Sequence, residues 1–230
     1  MFVADDLGIN DVGYAHAGGP RAFATPTIDK LARKSLRLTR FYGAPMCTPA
    51  RAALMTGRHP HKTGLAFFVL LANQPTGLDE REVTLGERFR ARGYATAMIG
   101  KWHLGFARRA WLPANRGFDS FFGFYAGSTD YYSLQSECWP AQWRDGCFEA
   151  ENGGEPVAGF DLRRGREVLT NSSTYSTELF TAEAERVIAS HPKQGPPLFL
   201  YLAHQAVHVG NMPEKDHPNY ALDQAPPRYL

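Results

Sequence analysis

Leu198-Phe199-Leu200-Tyr201-Leu202-Ala203 is an apolar run with no polar break, and it leads directly into His204. Gly195-Pro196-Pro197 breaks the chain just before it. Such a run reads as a central strand covered on both faces, as in sheets flanked by helices. Working outward, Met1–Ala4 reads as the end of a strand entering a polar turn, and Tyr94–Ile99 as a short buried strand stopping at Gly100. Helical patterns separate these runs. One covers Thr27–Lys34, opened by Thr25-Pro26, with Ile28, Leu31 and Ala32 on one face. A second covers Pro49–Thr56 and ends at Gly57. A third starts at the capping box Thr84-Leu85-Gly86-Glu87, continues through Phe89 and ends at Gly93. A fourth covers Ser176–Ser190, with Phe180, Ala184, Val187 and Ile188 on one stripe. Apolar runs alternating with amphipathic segments predict an α/β fold. From Ala107 to Arg166, Gly, Pro and aromatic residues with weak periodicity predict loops and short strands, and beyond Val209 the chain is polar and Pro-rich.

The composition excludes several classes. A chain of 230 residues fits one large domain or two small ones. With 43% hydrophobic and 21% charged residues, wholesale disorder is excluded. Mean hydropathy is −0.36 and no apolar run approaches the roughly 20 residues a membrane helix needs, so no span is expected. A net charge of +2 gives no support to nucleic-acid binding. Met1-Phe2-Val3-Ala4 runs straight into Asp5-Asp6 with neither a basic segment nor a long apolar one, so no signal peptide is read here. Of three cysteines, Cys138 and Cys147 share one aromatic-rich stretch and Cys47 stands alone. Either the pair forms a small-loop disulfide and Cys47 has another task, or all three are buried thiols.

Polar residues recur where the strands end: Asp5-Asp6, then Lys101 and His103, then His204 and His208. In α/β sheets ligands bind outside the carboxyl ends of strands. The three ends therefore read as one site built from separate loops, or else as three solvated loops. Two carboxylates at one turn suit a hard cation such as Ca²⁺ or Mg²⁺. Lys101 and His103, two apart in an extended segment, share a face and suit an anionic substrate and proton transfer. In Cys47-Thr48-Pro49-Ala50-Arg51 the cysteine sits at a helix N-terminus and Arg51 lies one turn on. A thiolate nucleophile of lowered pKa is the simple reading, and a buried cysteine beside a surface arginine is the plain alternative.

Cys47–Arg58, read as C-T-P-A-R-A-A-L-M-T-G-R, resembles the first signature of the type I sulfatases, and Gly100-Lys101-Trp102-His103-Leu104-Gly105 resembles the second. Asp5-Asp6-Leu7-Gly8 resembles their opening metal-binding turn. Arg116-Gly117-Phe118-Asp119, Asp130-Tyr131-Tyr132 and Gln205-Ala206-Val207-His208 resemble the arylsulfatase B group. Two signatures in register, in the right order across nearly the whole chain, make the resemblance specific.

The resemblance implies an alkaline phosphatase-like fold: a three-layer αβα sandwich around a mixed, mostly parallel sheet. It implies that Cys47 is oxidised to formylglycine by the formylglycine-generating enzyme in the endoplasmic reticulum. The hydrated aldehyde then cleaves a sulfate ester on a sulfated sugar or glycosaminoglycan. Asp5, Asp6 and the modified Cys47 would hold Ca²⁺, with Mg²⁺ as the second choice. Arg51 would steady the nucleophile, Lys101 and His208 would clamp the sulfate oxygens, and His103 would assist elimination. His204 has no assigned role and reads as a core or pocket-wall histidine. A Cys138–Cys147 disulfide and the sequon Asn171-Ser172-Ser173 accord with a lysosomal or secreted protein.

The family also has a later Asp-Asn metal pair and a sulfate-contacting lysine. Nothing after His208 matches them; Asp216 and Asp223 are not followed by Asn. The expectation is that residues 1–230 are the N-terminal part of the catalytic domain, incomplete on its C-terminal side and lacking a smaller C-terminal subdomain. A catalytically incomplete fragment is the alternative. A phosphoester hydrolase of the same superfamily is disfavoured, because Cys47 stands where such enzymes use Thr or Ser.

Overall fold

The computed structural model describes residues 1–15, 24–137 and 158–208. Its strands are β1 (Phe2–Val3), β2 (Ala95–Lys101), β3 (Ser120–Phe124), β4 (Gln135–Glu137), β5 (Ala158–Phe160), β6 (Arg163–Arg164), β7 (Glu167–Val168) and β8 (Leu198–Ala203). Six of them form one sheet in the order β1-β8-β2-β3-β6-β7. The pairs β1/β8, β8/β2 and β2/β3 are parallel, while β6 and β7 add antiparallel at the edge. Strands β4 and β5 pair separately. The helices are α1 (Pro26–Arg33), α2 (Cys47–Thr56), α3 (Pro60–Thr63), α4 (Leu85–Arg90) and α5 (Ser176–Ser190). Two compact units divide the chain. One holds Met1–Asp5 and the described residues from Ala44 onward, with the whole sheet and α2–α5; the other holds those of Asp6–Gly43, with α1.

Alternation along the strands makes two cores. Met98, Phe121, Phe199 and Tyr201 face Ala52 and Met55 of α2, with Leu85 and Phe89 of α4 packed alongside. Ile99, Phe122 and Phe124 face Phe180 and Ala184 of α5. Helices on both faces of a mixed, mostly parallel sheet are the expected three-layer α/β arrangement. Each fully buried Phe or Leu contributes about 1.5–3 kcal/mol.

Several elements differ from their sequence patterns. Strand β8 is buried at Phe199, Tyr201 and Ala203, but only half-buried at Leu198, Leu200 and Leu202. Leu200 and Leu202 pack against the margin of the cluster in which Phe180 of α5 meets Phe122 and Phe124, each 6.1 Å away between ring centroids. Ile188 is 59% exposed, rotated off the line of Phe180 and Ala184. Strand β2 runs through Gly100 to Lys101 instead of stopping. Gly100 has φ 97° and sits so close to β8 that a Cβ would lie 1.9 Å from the Ala203 carbonyl oxygen. Strand β3 emerges from the stretch read as loops and short strands, because its Phe121-Phe122-Gly123-Phe124 is apolar on both faces and masks the period.

In the second unit, α1 begins at Pro26 as its proline suits, yet Thr25 does not cap it. The Thr25 hydroxyl accepts from Gly13 N (2.8 Å) and donates to Asp29 Oδ1 (2.8 Å), which also accepts from Tyr14 N (2.9 Å). The inward face is thus built around Asp29 and Ala32, leaving Ile28 and Leu31 40% and 66% exposed.

Glu183 ties α5 to the sheet edge. Its carboxylate accepts from Arg164 of β6 (2.7 Å) and from Arg186 one turn on (2.7 Å). Arg186 lowers its pKa most; burial opposes, Arg164 reinforces, and the result is about 2. A depressed carboxyl pKa gives stability that is complete above the unfolded value and is lost as pH falls through the folded one. Thermal unfolding between pH 7 and 2 is therefore expected to show Glu183→Gln less stable at pH 7. The gap should close as the pH drops from 4.5 toward 2.

Candidate active site

Helix α2 starts on Cys47, with Met46 as its extended N-cap, and Pro49 fits its first turn because an N–H there has no helical partner. Thr48 is fully buried. It donates to the His103 carbonyl (3.2 Å) and accepts from Leu70 N (3.0 Å), which fastens the helix start to the loop after β2. Arg51, one turn on, is buried. Its Nη1 donates to the Lys101 carbonyl (3.0 Å) and Tyr201 hydroxyl (3.4 Å), and its Nη2 lies 3.2 Å from Asp5 Oδ1. Lys101, 0% exposed, donates from Nζ to Asp5 Oδ2 at 2.5 Å.

Asp5 is held through its main chain as well. Its N–H donates to the Ala206 carbonyl (3.0 Å) and its carbonyl accepts from Val207 N (2.8 Å). This pairing brings in the loop after β8. Gln205, buried, accepts from Thr129 N (2.9 Å) and donates to the Thr129 carbonyl (2.8 Å), and the Tyr131 hydroxyl donates to the His208 carbonyl (2.5 Å). Cys47 Sγ lies 3.9 Å from Asp5 Oδ1. One ligand atom each from Asp5, Cys47 and His208 fall within 4.8 Å of one another.

The electrostatics follow from this packing. Burial pushes the Asp5 carboxyl up, but Lys101 and Arg51 outweigh it and hold it below its ordinary value. Burial also pushes the Cys47 thiol up, yet a hydrogen bond with His208 and the Lys101 charge bring it below the usual range. Lys101 is lowered, first by burial and then by Arg51, with Asp5 opposing. His103 is pushed well below 6.5 by burial and then by Lys101. Its Nε2 contacts the Leu70 carbonyl at 2.8 Å, which fixes the N–H there and leaves Nδ1 bare, without a hydrogen-bond partner among the described residues.

The structure thus gathers Asp5, Cys47, Arg51, Lys101 and His208, the sequence-derived residues, into one polar centre. His103 adjoins it, with Nε2 on the Leu70 carbonyl and Nδ1 without a hydrogen-bond partner among the described residues. Asp6 is exposed at φ 56° and belongs to the second unit, so the first unit holds only Asp5 of the acidic pair. Lys101 spends one of its three ammonium donors on Asp5. His204 is a core residue, buried between Phe2 (5.0 Å) and Phe180 (6.4 Å). Asn171 lies exposed in the loop before α5. Cys138, Cys147, Asp216 and Asp223 lie outside the described residues. Tyr201 and Thr129 escaped the sequence reading of function, and Gln205 entered it only within the Gln205–His208 motif; a lone hydroxyl inside the apolar run 198–203 was the available signal for Tyr201.

A hard cation is the poorer match to these donors. Ca²⁺ takes about six to eight oxygens. The three convergent residues offer one carboxylate, one thiol and one imidazole, and two buried cations already compensate the carboxylate. Asp5, Cys47 and His208 by themselves therefore do not fit Ca²⁺.

The family model described as Sulfatase matches residues 1–228. Arylsulfatase J of Mus musculus is 38% identical over 90% of this chain and 32% of its own length. Arylsulfatase A of Homo sapiens is 35% identical over 90% of this chain and 40% of its own. Among solved structures, that of Ps i-CgsB superposes with a TM-score of 0.74 at 32% identity, covering 90% of this chain and 44% of that one. The chain spans about a third to two fifths of the length of these curated relatives.

Alkylation of Cys47 in its cysteine form is expected to titrate below the ordinary thiol range. Lys101→Met should move that midpoint up, because it removes a cation that favours the thiolate. The rate of iodoacetamide labelling against pH measures both.

Proposed function

The chain belongs to the sulfatase family, and on that premise we propose that it is the N-terminal part of the catalytic domain of a sulfuric ester hydrolase. The observation that carries the reading is the placement of Cys47 at the start of α2 against Asp5, Arg51, Lys101 and His208. Formylglycine made from Cys47 would supply the nucleophilic oxygen for attack on sulfur.

The chain's own residues would do the rest. Arg51 is held by three acceptors, so its charge is oriented before substrate arrives. Arg51 and Lys101 carry two positive charges against the single Asp5 carboxylate, which leaves one net positive charge where a sulfate would bind. Lys101 and His208 would hold the sulfate oxygens. His103 would take or return a proton at Nδ1, since it is neutral with that nitrogen bare. A divalent cation, Ca²⁺ first and Mg²⁺ second, belongs to the proposal only with oxygen donors beyond Asp5, Cys47 and His208.

The proposed substrates are sulfated sugars, including glycosaminoglycans. A second structure of Ps i-CgsB, 30% identical to this chain, is in complex with k-i-k-neocarrahexaose, which supports a sugar substrate. The formylglycine-generating enzyme would be the maturation partner. A lysosomal or secreted location is proposed with it, supported by the exposed Asn171 sequon. Among the described residues no helix is long and apolar enough to cross a membrane.

The full-length protein made in a eukaryotic secretory cell tests this. Mass spectrometry of the peptide carrying Cys47 should find formylglycine. An aryl sulfate should be turned over in preference to an aryl phosphate, and Cys47→Ala should cut turnover by roughly a thousandfold or more. Unmodified cysteine in secreted protein, or turnover of the phosphate alone, would overturn the proposal.

A further inference from the structure

A cavity of about 330 Å³ opens beside β3, lined by Phe106, Arg109, Leu112, Tyr125, Arg163 and Arg166. Its three arginines come from three places: the short turn Arg109–Trp111, strand β6, and the link from β6 to β7. Arg163 is compensated, with its Nε 3.3 Å from Asp161 Oδ1. Arg109 and Arg166 are exposed, and their guanidiniums make no ion pair or hydrogen bond with a described residue. The neighbouring Arg108, by contrast, reaches Glu80 at 3.7 Å and covers the Trp111 ring. Three guanidiniums against one carboxylate leave the cavity two positive charges in excess.

The floor of the cavity is rigid. The Tyr125 ring stacks with both Phe106 (6.1 Å between centroids) and Phe121 (5.2 Å), and its hydroxyl donates to the Gly165 carbonyl at 2.8 Å. The Arg163 guanidinium lies 4.8 Å over the same ring. The Tyr125 and Ala126 amides donate to Asp161 Oδ2 at 3.0 and 2.7 Å, which fixes the backbone too. Guanidiniums recognise sulfate and carboxylate groups through paired N–H donors. A pocket at the small end of the usual range, with an aromatic and apolar floor and cationic sides, suits one saccharide ring bearing an anionic group. The same Tyr125 also reaches the candidate active site, because its carbonyl accepts from His103 N at 3.1 Å.

We propose that this cavity is a subsite for an anionic sugar, carrying sulfate or carboxylate, that belongs to the same polymer as the ester being cleaved. The enzyme would hold a polyanionic chain at two points and so favour polymer over isolated monosaccharide esters. The inference rests on the sulfatase reading above, and the two can fail separately.

The test titrates a chondroitin sulfate octasaccharide into the full-length Cys47→Ala protein, with uncharged maltooctaose as the control. Arg109→Gln combined with Arg166→Gln should weaken octasaccharide binding about fivefold to tenfold and reduce its dependence on NaCl. Maltooctaose should bind detectably to neither form. On the Cys47 background the double variant should raise KM for the polysaccharide while leaving aryl sulfate kinetics unchanged. Equal octasaccharide affinity with and without the two arginines would overturn the subsite. Absence of aryl sulfate turnover, with arginine-dependent binding intact, would instead overturn the sulfatase reading.

Discussion

One buried carboxylate organises this protein. Asp5 lies between Lys101 at 2.5 Å and Arg51 at 3.2 Å, and all three side chains are withdrawn from water. Removing one partner of a buried ion pair costs about 3–5 kcal/mol, because the other charge is left without solvent or counter-charge. The three groups therefore hold one another in place. They come from the chain just after β1, from the end of β2 and from α2, so one electrostatic requirement fixes the relative positions of three elements. The backbone repeats the constraint, since Asp5 pairs by N–H and carbonyl with residues 206 and 207 after β8. Three strand ends and one helix start converge where the charges must be balanced.

That convergence depends on a steric condition. Lys101 reaches Asp5 because β2 continues one residue past Gly100, and β2 can do so only because Gly100 has no side chain to strike Ala203. Read from the sequence, Gly100 looks like a stop, since glycine usually ends a strand pattern. Here it permits close approach of two parallel backbones instead. A related ambiguity left β3 without bounds among the short strands expected in residues 107–166, because its aromatic residues serve both cores at once and lack the alternation by which a half-buried strand is read. By contrast, the Thr84–Glu87 capping box and α5 were legible, because local hydrogen bonding and a 3.6-residue period determine them without tertiary help.

The candidate site was legible for a similar reason. Cys47 and Arg51 lie one helical turn apart, so their common orientation is a local property of α2. Asp5, Lys101 and His208 follow predicted strands, and the rule that ligands gather at carboxyl ends of strands places them together. What the sequence could not convey was which partner each group chooses. The pairing of Lys101 with Asp5, the Tyr201 hydroxyl behind Arg51, and the turning of His103 toward Leu70 are tertiary facts. The arginines around Tyr125 are a stronger case, since residues 109, 163 and 166 share no periodicity and meet only because β6 pairs with β3.

The burial that makes the site costly also divides its labour. Asp5 compensates both Arg51 and Lys101: it raises the Arg51 guanidinium and opposes the burial that draws the Lys101 ammonium down. His103, equally buried but without a carboxylate partner, is driven neutral by burial and by the same Lys101 charge. One electrostatic field thus yields two kinds of group a few residues apart in sequence. In the proposed reaction the cationic groups hold an anion whose charge persists throughout. The neutral imidazole moves a proton, which a permanently charged group could not do. The distinction follows from where a single carboxylate sits, within 2.5 Å of Lys101, while the His103 imidazole meets the Leu70 carbonyl instead.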